Sequence, residues 1–99
     1  MANKKVTVVA RIRAKKGMEE IVKQELIALV SPTRSEKGCI NYDLHRSVED
    51  KSLFMFYENW VSKKALDEHL AMPHMQSHLK RANEILAGPP EITLWEKIS

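Results

Sequence analysis

The side chains best suited to chemistry gather in one stretch, Phe54 to His78, FMFYENWVSKKALDEHLAMPHMQSH. Glu58 alternates with Phe54, Phe56 and Trp60, which puts a carboxyl on an aromatic strand face. Such a group must be hydrogen-bonded, ion-paired or raised in pKa. It either forms a structural ion pair, with Arg11 on a neighbouring strand as the partner, or exchanges a proton with a ligand. His69 either packs in the core or serves as acid, base or ligand-orienting group, since imidazole titrates near neutrality. Trp60 is core or cavity wall. Cys39, at a strand start, reads as a buried structural thiol rather than a nucleophile. His74 and His78 are four residues apart and could share a helix face, but no acidic or cysteine partner follows at zinc spacing. No metal site is expected.

Several classes of activity find no support. There is no G-x-S-x-G elbow, glycine-rich phosphate loop or paired-cysteine motif, and three glycines cannot build a dinucleotide fingerprint. Basic residues are interspersed with acids at a net charge of +3, which argues against a nucleic-acid surface. No apolar run approaches the roughly 20 residues of a membrane helix. The start, MANKKVTVVARIR, reads as a strand rather than a signal peptide, and a single cysteine suits a reducing compartment, so a cytoplasmic location is expected.

The positioning elements follow from periodicity. Lys5–Ala14, Cys39–Ser47, Ser52–Trp60 and Glu91–Ile98 alternate with period two and read as strands. Met18, Ile21, Val22, Leu26, Leu29 and Val30 recur at helical spacing after a Gly17 cap; Pro32 is expected to end or restart that helix, with Thr33–Gly38 a polar connection. Ser62 is an N-cap for a second helix carrying Ala65, Leu66, His69 and Leu70, and Pro73 starts a further helical piece. Gly88–Pro89–Pro90 stops it. The order β-α-β-β-α-β predicts one domain over residues 1–99: a ferredoxin-like α+β fold with a four-stranded antiparallel sheet and helices on one face. Between that face and the helices an aromatic-lined cavity is expected. Leu53, Met55 and Tyr57, with Ile92 and Leu94 on the last strand, suggest that the second face is apolar too. Such a face calls for a second copy, a sheet-on-sheet homodimer.

An ordered set of short segments carries a resemblance. The segments are Val8–Ala10–Arg11–Ile12, Lys16–Gly17, Thr33–Arg34–x–Glu36–x–Gly38–Cys39–x–x–Tyr42, Tyr57–Glu58–x–Trp60, Leu66–x–x–His69–Leu70–x–x–Pro73–His74 and Gly88–Pro89. Together they resemble the antibiotic biosynthesis monooxygenase family, and within it the small quinol monooxygenases. The resemblance implies a ferredoxin-like dimer, often with the last strand reaching to the partner, and a cofactor-free oxygenase in which a deprotonated quinol or anthrone reacts directly with dioxygen. Trp60 matches the pocket tryptophan of polyketide-tailoring members, but Phe56 stands where those have asparagine. His69 and His74 match the H-x-x-x-P-H segment of quinol-oxidising members. The heme-degrading branch has tryptophan at the position of His69 and a histidine where Leu79 stands beside His78, so it fits poorly.

The expectation is a homodimer that oxidises a small aromatic quinol with dioxygen and no cofactor. His69 is the proton acceptor. Glu58 and Trp60 line the pocket with it, Phe56 and Leu70 contact substrate, and Tyr42 and His74 lie near the rim. Two other readings stay open. One is an isomerase of a phosphorylated quorum-sensing sugar, which a basic cluster such as Lys80–Arg81 at the mouth would favour. The other is a non-catalytic dimeric binding module.

Overall fold

The computed structural model describes residues 4–99. Its elements are β1 (Val6–Arg13), α1 (Glu19–Arg34), β2 (Cys39–Arg46), β3 (Leu53–Trp60), α2 (Lys63–Leu70), α3 (Pro73–Ile85) and β4 (Glu91–Trp95). The four strands form one antiparallel sheet in the order β2-β3-β1-β4, the ferredoxin-like topology. Among the described residues no helix is long and apolar enough to cross a membrane.

Alternation decides what each strand buries. Val8, Ala10 and Ile12 of β1 lie opposite Glu58, Phe56 and Phe54 of β3, and all six are buried on the helix-bearing face. Tyr42 of β2 lies opposite Glu58 and joins them. The amphipathic α1 presents Val22, Leu26, Leu29 and Thr33 to this layer. Gly17, with φ 87°, adopts the left-handed conformation that lets Met18 N–H close on the Lys15 carbonyl at 2.8 Å. It shapes the turn into α1, and the helix starts from Met18.

Three expectations need correction. Pro32 neither ends nor restarts α1, which runs on to Arg34, and Thr33 is fully buried rather than part of a polar connection. Proline in a last turn removes a single donor, and Ser35 N–H still bonds the Ser31 carbonyl at 3.2 Å. The last strand stops at Trp95, opposite Thr7, instead of reaching Ile98; beyond it Glu96 is held by its side-chain bond to Lys4 Nζ at 3.0 Å. Ile92 and Leu94 pair with Ala10 and Val8, so they belong to the helix-bearing face, and Trp95 belongs to the other. The helix-free face is therefore mixed. Val9, Met55, Tyr57 and Trp95 share it with a polar ladder in which Thr7 bonds Asn59, Asn59 Nδ2 donates to Asn41 Oδ1 (2.9 Å) and Asn41 Nδ2 to Asp43 Oδ2 (3.1 Å).

Ser62 caps α2 as its residue type demands, its Oγ accepting from Ala65 N–H at 3.1 Å. Extended backbone at Met72 then lets Pro73 open α3, with Met72 N–H returning to the His69 carbonyl at 3.0 Å. The α1–β2 connection runs tightly against α2. A Cβ added at Gly38 would meet the Ala65 Cβ at 2.4 Å. Gly38→Ala is expected to lower unfolding free energy by roughly 1–3 kcal/mol through overpacking. Urea denaturation of both proteins tests this, and unchanged stability would show that the connection can move off α2 freely.

Candidate active site

A cavity of about 160 Å³ lies between the helix-bearing face of the sheet and α2 and α3. Its walls are apolar, with Phe56, Leu66 and Leu70 among them, and Ile92 and Leu94 close its β4 side. Tyr42 stacks on Phe56 with ring centroids 4.4 Å apart. The titratable groups inside are Tyr42, Glu58, His69 and His78, with Lys63 and Asp67 at the margin.

Glu58 is buried, and its Oε1 accepts the Trp60 indole N–H at 2.8 Å. Burial pushes its carboxyl up to about 7; the indole bond acts against that rise, and the Glu36 charge adds to it. The ion pair with Arg11 does not form. Arg11 lies opposite Met55, on the helix-free face, because neighbouring strand residues point to opposite sides.

α2 carries His69 back over the sheet. Its ring lies 4.6 Å from the Trp60 ring, and its Nδ1 is 2.8 Å from Glu36 Oε2. His74, in the first turn of α3, reaches the same oxygen with Nε2 at 2.7 Å. Among the described residues His69 Nε2 has no hydrogen-bond partner. The His69 ring lines the cavity, and its Nε2 is not among the fully enclosed unpartnered side-chain atoms, which among the described residues are Thr33 Oγ1 and His78 Nδ1. Burial lowers the His69 pKa, Glu36 opposes this, and His74 adds to the lowering.

The expected site residues thus take distinct positions. Glu58, His69, Phe56 and Leu70 line the cavity. Tyr42 does too, but as a fully buried wall rather than at the rim; burial, reinforced by Glu58, raises its phenol far above the ordinary value. Trp60 is not on the cavity surface; it backs His69 and holds Glu58. His74 stands behind His69, on Glu36. Glu36 and His78 were not expected in the site. Glu36 sits in a polar loop beside Gly38, and only that glycine hints that the loop approaches a helix. His78 shows only the helical spacing of a core position. Cys39 is half-buried, with its thiol pushed up to about 11, chiefly by burial and then by Glu36 and Glu58. It is therefore no ready nucleophile.

Glu36, His69 and His74 form a set whose donor atoms lie within 4.8 Å of one another and could converge on a metal ion. As the side chains stand, both imidazole nitrogens already face one carboxylate oxygen. The mouth is not basic: Lys63 pairs with Asp67 at 2.8 Å, and Arg81 is tied to Glu25 at 2.8 Å.

Comparison with known proteins agrees with this architecture. The antibiotic biosynthesis monooxygenase family matches residues 5–81. The "Putative monooxygenase Rv0793" of Mycobacterium tuberculosis is 35% identical over 90% of this chain and 87% of its own. Its solved structure has a TM-score of 0.90 at 30% identity, covering 96% of each chain. The crystal structure of PA3566 from Pseudomonas aeruginosa has a TM-score of 0.91 at 34% identity, covering 100% of this chain and 99% of that one. An uncharacterized Synechocystis protein is 35% identical over 75% of this chain, which spans only 53% of that relative.

The raised Glu58 pKa fixes a sign for stability. The folded chain keeps a proton that the unfolded chain releases between the ordinary carboxylate range and about pH 7, so stability falls as pH rises through that window. Glu58→Gln keeps an acceptor for Trp60 and removes the charge. It is expected to raise unfolding free energy at pH 8 by up to roughly 3 kcal/mol and change little at pH 4. Denaturant midpoints at the two pH values check this, and equal gains at both would show that charge is not the cause.

Proposed function

The chain belongs to the antibiotic biosynthesis monooxygenase family, and from that premise we propose that it is a cofactor-independent monooxygenase that oxidises a single-ring aromatic quinol with dioxygen. The observation that carries this reading is the cavity. Its volume of about 160 Å³ is close to the ~150 Å³ apolar cavity known to take up benzene. One substituted ring fits that space, and a fused tricyclic anthrone exceeds it. The apolar walls suit a flat ring, and two polar groups, His69 Nε2 and the Glu58 carboxyl, suit its hydroxyls.

In the proposed reaction a quinol hydroxyl gives its proton to His69 Nε2. The resulting electron-rich ring passes an electron to dioxygen, and the two radicals combine at a ring carbon. Protonation and cleavage of the O–O bond release water and leave a hydroxyquinone, so quinol plus dioxygen gives hydroxyquinone plus water. Glu58, held by Trp60, is poised near neutrality to hydrogen-bond the second ring oxygen as donor or acceptor. Trp60 backs the base and orients Glu58 without touching substrate. The mouth offers a lysine already paired with Asp67 and no Lys80–Arg81 cluster, which disfavours a phosphorylated sugar.

A homodimer is part of the same reading. A second copy seated on the helix-free face would cover Val9, Met55, Tyr57 and Trp95, each such side chain contributing roughly 1.5–3 kcal/mol when fully buried. Tyr57→Glu places a carboxylate beside Asp43 and is expected to shift sedimentation equilibrium towards the mass of one chain. A wild-type mass equal to one chain would remove the dimer.

Oxygen uptake with a panel of hydroquinones tests the activity. Wild-type protein is expected to exceed autoxidation for at least one single-ring quinol, and His69→Ala to lower that rate by roughly 10²–10⁴-fold. No stimulation by any quinol would end the oxygenase reading, and full activity in His69→Ala would remove the base.

A further inference from the structure

We propose that Glu36 and His74 are positioning residues for His69: together they hold its ring as the Nδ1–H tautomer and so turn a bare Nε2 towards the cavity. The proposal rests on the reading of His69 as proton acceptor. The geometry fixes the proton positions. A carboxylate is an acceptor only, so each imidazole nitrogen facing Glu36 Oε2, His69 Nδ1 at 2.8 Å and His74 Nε2 at 2.7 Å, must carry hydrogen. A neutral ring holds one such hydrogen. With it on Nδ1, the Nε2 lone pair is free at the cavity wall.

The surroundings keep this arrangement from relaxing. The Glu36 and His69 side chains are buried at 8% and 2% relative exposure, so water does not compete for the bond. The His69 ring is held between Trp60, at 4.6 Å, and the edge contact of Tyr42, at 5.5 Å, which resists flipping. Glu36 reaches α2 because its loop has glycine at position 38, against Ala65. His74 reaches Glu36 because the chain breaks at Met72–Pro73 and restarts with His74 in the first turn of α3. When Nε2 takes a proton, the imidazolium lies beside a carboxylate already in place, so its charge is balanced without movement of water or side chains.

Glutamine at position 36 has one acceptor and one donor end. Its carbonyl oxygen in the place of Oε2 can still accept from both rings, so Glu36→Ala, which removes the acceptor altogether, is the informative variant. Histidine side-chain ¹⁵N–¹H correlation spectra of the ligand-free protein read the tautomer directly. Wild-type His69 is expected to show a protonated Nδ1 and a bare Nε2, and Glu36→Ala to show a mixture or the reverse. With a turned-over quinol, Glu36→Ala is expected to lower kcat by roughly 10²-fold while KM moves less than about threefold. His74→Gln, which keeps a donor near the Nε2 position, is expected to retain more activity than His74→Ala. A protonated Nε2 in the wild type overturns the proposal, as does Glu36→Ala with an unchanged tautomer and unchanged kcat. The spectra need no substrate, so failure to find a quinol would count against the oxygenase reading alone.

Discussion

A single carboxylate oxygen ties together three parts of the chain that share no hydrogen-bonded ladder. Glu36 Oε2 receives one imidazole from α2 and another from α3, while Glu36 itself belongs to the connection between α1 and β2. Buried charges persist only when paired or hydrogen-bonded, so this oxygen dictates where the two helices may sit. The helix break at Pro73 follows from it in geometry: without the restart, His69 and His74 would lie on one continuous helix, five residues apart and on different faces. The absent side chain at Gly38 follows as well, because the loop bearing Glu36 must touch α2.

Around that clamp the cavity favours uncharged forms of acids and bases alike. Burial moves Glu58 up and moves His69 and His78 down, each towards neutrality. The His78 Nδ1 is enclosed and 4.0 Å from the Glu25 Oε1. A space bounded by rings, aliphatic chains and neutral hydrogen-bonding groups discriminates by shape and by hydroxyl placement rather than by charge. Glu58 keeps its proton less firmly than the Tyr42 phenol across the sheet, since the two respond to the same burial from very different starting values.

Most of the architecture was legible from residue order. Alternation located the four strands, and Ser62, Pro73 and Gly88–Pro89–Pro90 marked helix ends, because each signal acts within a few residues. What escaped depended on distance along the chain. Alternation shows that Ile92 and Leu94 share a face but not which one; only the register with Val8 and Ala10 assigns it. Pro32 looked like a terminator because a local rule cannot see that Thr33 is buried in the core. In the site, Glu58, Phe56 and His69 were found from their aromatic setting and helical position. Glu36 was not, since its partners are 33 and 38 residues away and a glutamate in a polar loop resembles any other. The role of Trp60 shifted from wall to support because strand alternation gives the side of the sheet, not the depth.

The last strand has a further consequence. β4 is hydrogen-bonded along one edge only, all five of its residues are exposed, and yet Ile92 and Leu94 close one side of the cavity. An edge strand with few packed neighbours exchanges its amides through local opening, at a lower free energy than the central strands. Occupancy and strand order are thus linked thermodynamically. Whatever fills the space against Ile92 and Leu94 favours the ordered β4, and whatever docks along its free edge tightens the grip on the occupant by the same factor as the occupant tightens that docking.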